Sequence, residues 1–287
     1  MTSTTPASHT PSHRSAPTPT RTPTSAPGRA APPRTRALAR MAALGRAELT
    51  LLCRNRSALF TALVIPVAMV LAMRSAISDV DLEQTELAVN EVVMTSGPVM
   101  VLVFVVYANL ISTYVARREE LVLKRLRTGE VRDPEILAGT AVPAAVLALG
   151  QSALLVAAGA VLLDLRAPQR PDLLLAGLLL GVVLMAALAA ATAAVTRSPE
   201  SAQITALPLT MVSFVTSGMF VPLELMPDAL ANTFRLLPAT PVVDLVRGGW
   251  LGDVSAVEAL RALGLAAAWT ALAVWVVRRW FRWEPRR

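Results

Sequence analysis

Six stretches of this sequence run for roughly the width of a bilayer with no charged side chain, and they constrain the fold more than any other feature. A hydrocarbon core about 30 Å thick is crossed by a helix of about 20 mostly apolar residues. The stretches are Ser57 to Met73, Val92 to Tyr114, Ile136 to Leu163, Leu173 to Thr196, Gln203 to Val221 and Ala262 to Val277. The first and last are short when cut at their charges, but Arg74 and Arg278 can extend their guanidinium groups to the headgroups and lengthen both spans. Barrel strands would alternate apolar and polar residues over about ten positions, whereas these runs are apolar on all sides. The expected fold is therefore an all-α integral membrane protein with six transmembrane helices. Pro66, Pro98, Pro143 and Pro208 fall inside the spans, where they suggest kinks whose freed carbonyls find partners on neighbouring helices.

Lys and Arg set the orientation. With the N-terminus inside, the inner segments hold 21 of the 27 basic residues, including Arg117 to Arg132 and Arg278 onward. The outer segments hold the other six, at Arg74, Arg166, Arg170, Arg235, Arg247 and Arg261, and they also carry twelve of the twenty acidic residues. Both termini are expected in the cytoplasm, in a multi-pass protein of the plasma membrane.

The net charge of +7 does not point to nucleic acid, because the basic residues sit in short clusters between apolar runs and form no soluble basic face. Only 16% of residues are charged, against about 25% in a soluble domain. Residues 1–35, rich in Ser, Thr and Pro, lack the apolar side chains needed to offset chain entropy and read as a disordered cytoplasmic tail. No apolar core of a signal peptide precedes Leu38. Residues 283–287 read as a short C-terminal tail, leaving 57–282 as the six-helix domain.

Three segments outside the spans carry patterns of their own. In residues 36–56, Leu38, Met41, Leu49 and Leu52 gather on one side of a helix and Arg36, Arg40 and Arg54 on the other, the pattern of an amphipathic helix lying at the membrane interface. From Arg117 to Arg132 the second inner loop is long enough for two or three helical turns. There Leu123 and Leu126 share a face, Glu120 pairs with Lys124 at i,i+4, and Gly129 and Pro134 act as stop and start. Between Ser217 and Trp250 the chain holds four prolines up to Pro241 among repeated apolar residues, too greasy for a free loop and too broken for a span. Short helices re-entering the outer leaflet before the last span explain both features.

Taken together, the lead-in helix, the six spans, the charged second inner loop and the segment Ser-Gly-Met-Phe-Val-Pro … Met-Pro … Leu-Leu-Pro … Asp-Leu-Val-Arg resemble the permeases of ABC type-2 exporters, especially the daunorubicin-resistance type of bacterial drug-efflux permease. The similarity runs from about Ala37 to Arg282, and Gly218, Pro222, Pro227, Pro238 and Arg247 fall where the family places such residues. In the inner loop Glu119, Leu123 and Leu126 match the family pattern, while Leu121, Val122 and Glu130 replace its Gly, Thr and Pro. The resemblance implies an exporter subunit that moves a small amphipathic molecule, a drug or antibiotic, outward. A lipid or polysaccharide-precursor permease is the alternative. It further implies a second permease copy and a separate ATPase subunit binding ATP and Mg. That ATPase would be contacted through Glu119, Glu120, Leu123, Lys124, Arg125 and Leu126.

This chain is expected to bind no cofactor and to catalyse nothing. A Walker A loop ends in Lys-Ser or Lys-Thr, and the only lysine, Lys124, precedes Arg125. An ion-gradient transporter usually carries an acid or histidine relay inside the membrane, and none of the six runs holds one. Metal or serine-hydrolase chemistry wants a histidine, and His9 and His13 both lie in the tail. The polar residues of the runs are neutral, and Asn109, Gln151 and Ser213 are candidates to line a cavity.

Overall fold

A computed structural model describes residues 89–121, 133–162, 167–219, 223 and 226–281, with a few isolated positions before Val89. The tail at 1–35, the interfacial helix at 36–56, the first span, Leu123 to Leu126, Pro222 and the segment 283–287 lie outside the described residues. All of the helices described belong to the unit Arg34–Arg287.

The regular structure of the described residues is all helical, with no strand among them. The first crossing among the described residues, which answers to the second expected run, is one continuous rod made of α1 (Val89–Val101), a π-helical stretch π1 (Leu102–Ala108) and α2 (Asn109–Glu119). Then come α3 (Asp133–Leu162), α4 (Pro171–Val195) and α5 (Pro199–Thr216). Two short helices follow, α6 (Asp228–Phe234) and α7 (Thr240–Leu251), before the long α8 (Ala256–Trp280). Four rods have the length and apolarity to cross a membrane, namely Glu91–Glu119, Asp133–Ala157, Pro171–Val195 and Ala256–Trp280.

Helix ends follow local chemistry. Pro171 opens α4 at the first position, where its missing N–H costs nothing. Ser198 and Ser201 cap α5 reciprocally, and Ser255 and Glu258 do the same for α8, with the Ser255 N–H donating to Glu258 Oε2 at 2.9 Å. At the start of α5 the Ser198 side chain beside Glu200 holds its carboxyl below the usual carboxylate range. Gly252 closes α7 in the left-handed region, at φ 76°, and its N–H donates to the Gly248 carbonyl.

The run expected from Gln203 to Val221 needs correction. Its helix begins four residues early, at Pro199, and ends at Thr216, because Gly218 turns the chain at φ 76°. At 18 residues and with Glu200 and Gln203 in its first turns, α5 falls short of the apolarity of the other four rods. The second run is longer than expected and carries Arg117, Arg118 and Glu119 inside the helix rather than in a loop. Of the expected kink sites, Pro98 lies four residues before π1, while Pro143 and Pro208 sit within unbroken α-helix. Proline removes one ladder donor, and π1 is where the ladder changes from i→i−4 to the wider i→i−5 pattern.

At the centre of the bundle, α4 buries Leu174, Leu178, Leu184, Met185 and its alanines against the first crossing, α7 and α8. Its opposite stripe, Leu175, Leu179 and Val183, is exposed, as are Ile204, Leu207, Met211 and Val215 on α5. Such apolar stripes suit contact with lipid or with further membrane helices. The bundle has two unlike ends. One gathers the C-termini of α2, α4 and α8 with the N-termini of α3 and α5, and it carries Arg117, Arg118, Arg197, Arg278 and Arg279. The opposite end holds α6 and α7.

Candidate functional site

The basic end is fastened by one side chain. Arg118 lies in the last turn of α2 and is fully buried. Its Nη1 donates to the Ala193 carbonyl at 3.0 Å, and its Nη2 donates to the Thr196 and Arg197 carbonyls at 2.8 and 3.1 Å. Ala193 lies in the last turn of α4 and Thr196 is its C-cap, where carbonyls lack helical N–H partners and face the negative end of the dipole, and Arg197 follows directly in the link to α5. Glu119 Oε1 stands 3.6 Å from the same Nη2. Beside this clamp the buried Tyr114 hydroxyl donates to the Leu137 carbonyl of α3 at 3.0 Å, so three helices meet there. Glu120 caps α2, and Leu121 leaves it with a positive φ of 59°, a conformation that a β-carbon disfavours. Sequence reasoning places Arg118 in a solvated loop. Nothing in its spacing marks it as buried, since the acceptors are backbone atoms 75 to 79 residues away.

Helix α7 builds the other end. At 12 residues it spans about 18 Å, too short to cross a bilayer, yet Val242, Val243, Leu245, Val246 and Trp250 are all buried. It seats directly on α4 through glycines. A β-carbon on Gly181 would stand 2.8 Å from Val242 Cγ1, one on Gly177 2.9 Å from Leu245 Cβ, and one on Gly249 2.4 Å from the backbone nitrogen of Leu174. Gly177 and Gly181 form a Gly-x-x-x-Gly pair, the small-residue spacing that lets membrane helices touch backbone to backbone. That pair is readable in the sequence, but not which helix it receives. The Gln169 and Arg170 amides donate to the Trp250 and Gly249 carbonyls at 3.1 and 2.9 Å, closing the C-terminus of α7. At its N-terminus the buried Thr240 hydroxyl donates to the Phe234 carbonyl of α6 at 2.8 Å.

Around α7, the start of α8 and the turn at Ser217 and Gly218 lies a cavity of about 290 Å³. Arg235, Arg247 and Arg261 line it together with Asp244, Asp253 and Glu258. Of the residues read as an outer motif, Gly218 and Arg247 line this cavity, Pro227 stands at the N-terminus of α6, and Pro238 is buried in the connection to α7.

A third feature lies about one to three turns in from the basic end, on α2 and the start of α5. Asn109 is exposed on α2, and Ser112 and Thr113, at i+3 and i+4, share its face. Gln203 on α5 donates from Nε2 to Ser112 Oγ at 3.1 Å, extending the polar patch to a second helix. By contrast Gln151 and Ser213 are buried. No group of three or more His, Cys, Asp or Glu side chains suited to a metal occurs among the described residues.

A family model described as ABC-2 type transporter matches residues 40–251, nearly three quarters of the sequence. The chain belongs to that family. It is accordingly a permease subunit of an ABC exporter, a multi-pass membrane component of a kind that is generally non-catalytic and generally works as a dimer with an ABC ATPase. The matched region takes in the Arg118 clamp, the polar patch and the whole of α7, and ends before α8. A search of curated proteins finds no match.

Proposed function

We propose that this permease exports a small amphipathic molecule, of the drug or antibiotic kind carried by daunorubicin-resistance-type permeases, across the plasma membrane. A separate ATPase docks on the basic end, which faces the cytoplasm together with both termini, and Ser57 to Met73 supplies a sixth span. The observation that carries the reading is the polar face of exposed Asn109 and half-buried Ser112 and Thr113, on a rod long and apolar enough to cross a membrane in a chain of the ABC-2 family. An exposed amide is costly against hydrocarbon, and it gains partners where two copies enclose a path for cargo with both polar and apolar groups. The excess of Lys and Arg at the end that holds Arg118 supports its cytoplasmic placement. Glu119 and Glu120, with Leu123, Lys124, Arg125 and Leu126 beyond them, form the contact with the ATPase, which alone binds ATP and Mg.

Everted membrane vesicles test the reading with a fluorescent anthracycline as cargo. Uptake is expected to require ATP, to survive collapse of the proton gradient and to fall with Asn109→Leu while the protein level holds. Uptake driven by a proton gradient without ATP overturns the ATPase-coupled reading. ATP-dependent activity confined to lipid or polysaccharide precursors overturns the choice of cargo.

A further inference from the structure

We infer that Arg118 is the strut through which a force on the C-terminal end of α2 reaches the far end of the bundle, by way of α4 and α7. The inference rests on the ATP-driven reading of the proposed function and names the path within this chain. Arg118 stands three residues before Leu121, where the chain leaves α2, so a partner that bears on this end of the helix acts first on its last turn. There the guanidinium holds the Ala193 carbonyl in the last turn of α4, the carbonyl of its C-cap Thr196 and that of Arg197 just beyond. The acceptors are backbone atoms with no rotamer to relax, the planar fork fixes direction as well as distance, and full burial keeps water from competing.

From that point the path contains little that can give. Helix α4 is a 25-residue rod, and at its other end Gly177, Gly181 and Gly249 bring it against α7 with almost no side chain between them. The amides of Gln169 and Arg170 tie the C-terminus of α7 to the start of α4, and Thr240 ties its N-terminus to α6. A displacement of α4 therefore carries α7 and α6 with it as one body, which is the physical form that coupling between distant sites requires.

The test uses the complex of this permease with its ATPase in nanodiscs, in a Cys53→Ser, Asp228→Cys background. The thiol introduced at the exposed start of α6 is titrated with an impermeant maleimide, with and without ATP and vanadate. The labelling rate of this parent is expected to change about fivefold or more on trapping, the lower end of ordinary coupling between sites. Arg118→Lys keeps the charge but loses the fork, and the ratio is expected to fall to one while ATP hydrolysis continues. A purely structural anchor would lower the yield of folded complex and leave the ratio of the surviving molecules unchanged, and that result overturns the inference. Gly177→Ala provides a second lesion, at the α4–α7 contact, for the case in which the lysine variant does not assemble; a parental ratio in Gly177→Ala overturns the inference in the same way. A parent whose labelling ignores nucleotide overturns the ATP-driven reading, and the inference with it.

Discussion

Gly249→Ala tests the seating of α7 on α4 more directly than any other single change. The added methyl would lie 2.4 Å from the Leu174 nitrogen, 2.8 Å from its Cα and 2.9 Å from its Cβ. Optimal contact between carbon atoms lies at about 3.5 to 4.0 Å, so the two helices must separate by roughly 1 Å at this point. Inserting a methylene into a packed interior costs about 1–3 kcal/mol, and a backbone obstacle puts this case at the upper end because it cannot rotate away. A loss of about 3 kcal/mol is roughly a 150-fold drop in the folding equilibrium at about 1.4 kcal/mol per decade. Two other glycines calibrate the measurement. At Gly177 the nearest obstacle is a side chain, Leu245 Cβ at 2.9 Å, which predicts a smaller penalty, and at Gly264 on α8 nothing lies within 4 Å of the new methyl. The assay is the mole fraction of SDS that unfolds half of the purified chain in mixed micelles, with the three variants side by side. The expected order of resistance is Gly264→Ala above Gly177→Ala above Gly249→Ala. Equal midpoints for Gly249→Ala and Gly264→Ala would refute the backbone contact and with it the fixed relation of α4 to α7.

Two further expectations concern the capping of α8 and the orientation of the chain. Ser255→Ala removes both hydrogen bonds that the hydroxyl makes with Glu258 and should lower stability by about 1 kcal/mol in the same SDS titration, and Ser255→Asp should restore only the bond accepted from the Glu258 N–H, because a carboxylate cannot donate to Glu258 Oε2. In intact cells of the Cys53→Ser background, a thiol at Asp228 should react with an impermeant reagent and one at Thr128 should not; the opposite labelling would invert the assignment of cytoplasmic and outer ends.

Much of the helical frame is legible because a missing charge is a strong signal. From Asp133 to Leu162 and from Pro171 to Val195 the observed rods lie within three residues of the expected runs at each end. The same rule fails where a charge is not solvated. Cutting the second run at Tyr114 treats Arg118 as a surface residue, and the helix continues because the carbonyls of α4 satisfy its guanidinium. The fifth run extends too far in the sequence because Phe220 and Val221 are apolar, whereas the positive φ of Gly218 ends the regular path first. A buried, proline-bounded α7 is foreseeable from a segment both apolar and broken. Its seat on Gly177 and Gly181 is not, since a small-residue pair names one surface of a contact and not the other. Asn109 is legible as a polar residue within a span, but its exposure and its link through Ser112 to Gln203 depend on how α5 lies against α2.

The π-helical stretch from Leu102 to Ala108 divides the first crossing into two halves wound out of phase. A wheel drawn at a constant 100° per residue from Val89 would misplace each side chain beyond it. The direction in which Asn109, Ser112 and Thr113 point is thus a property of that widened turn, and no uninterrupted α-helix of this sequence would give them the same azimuth.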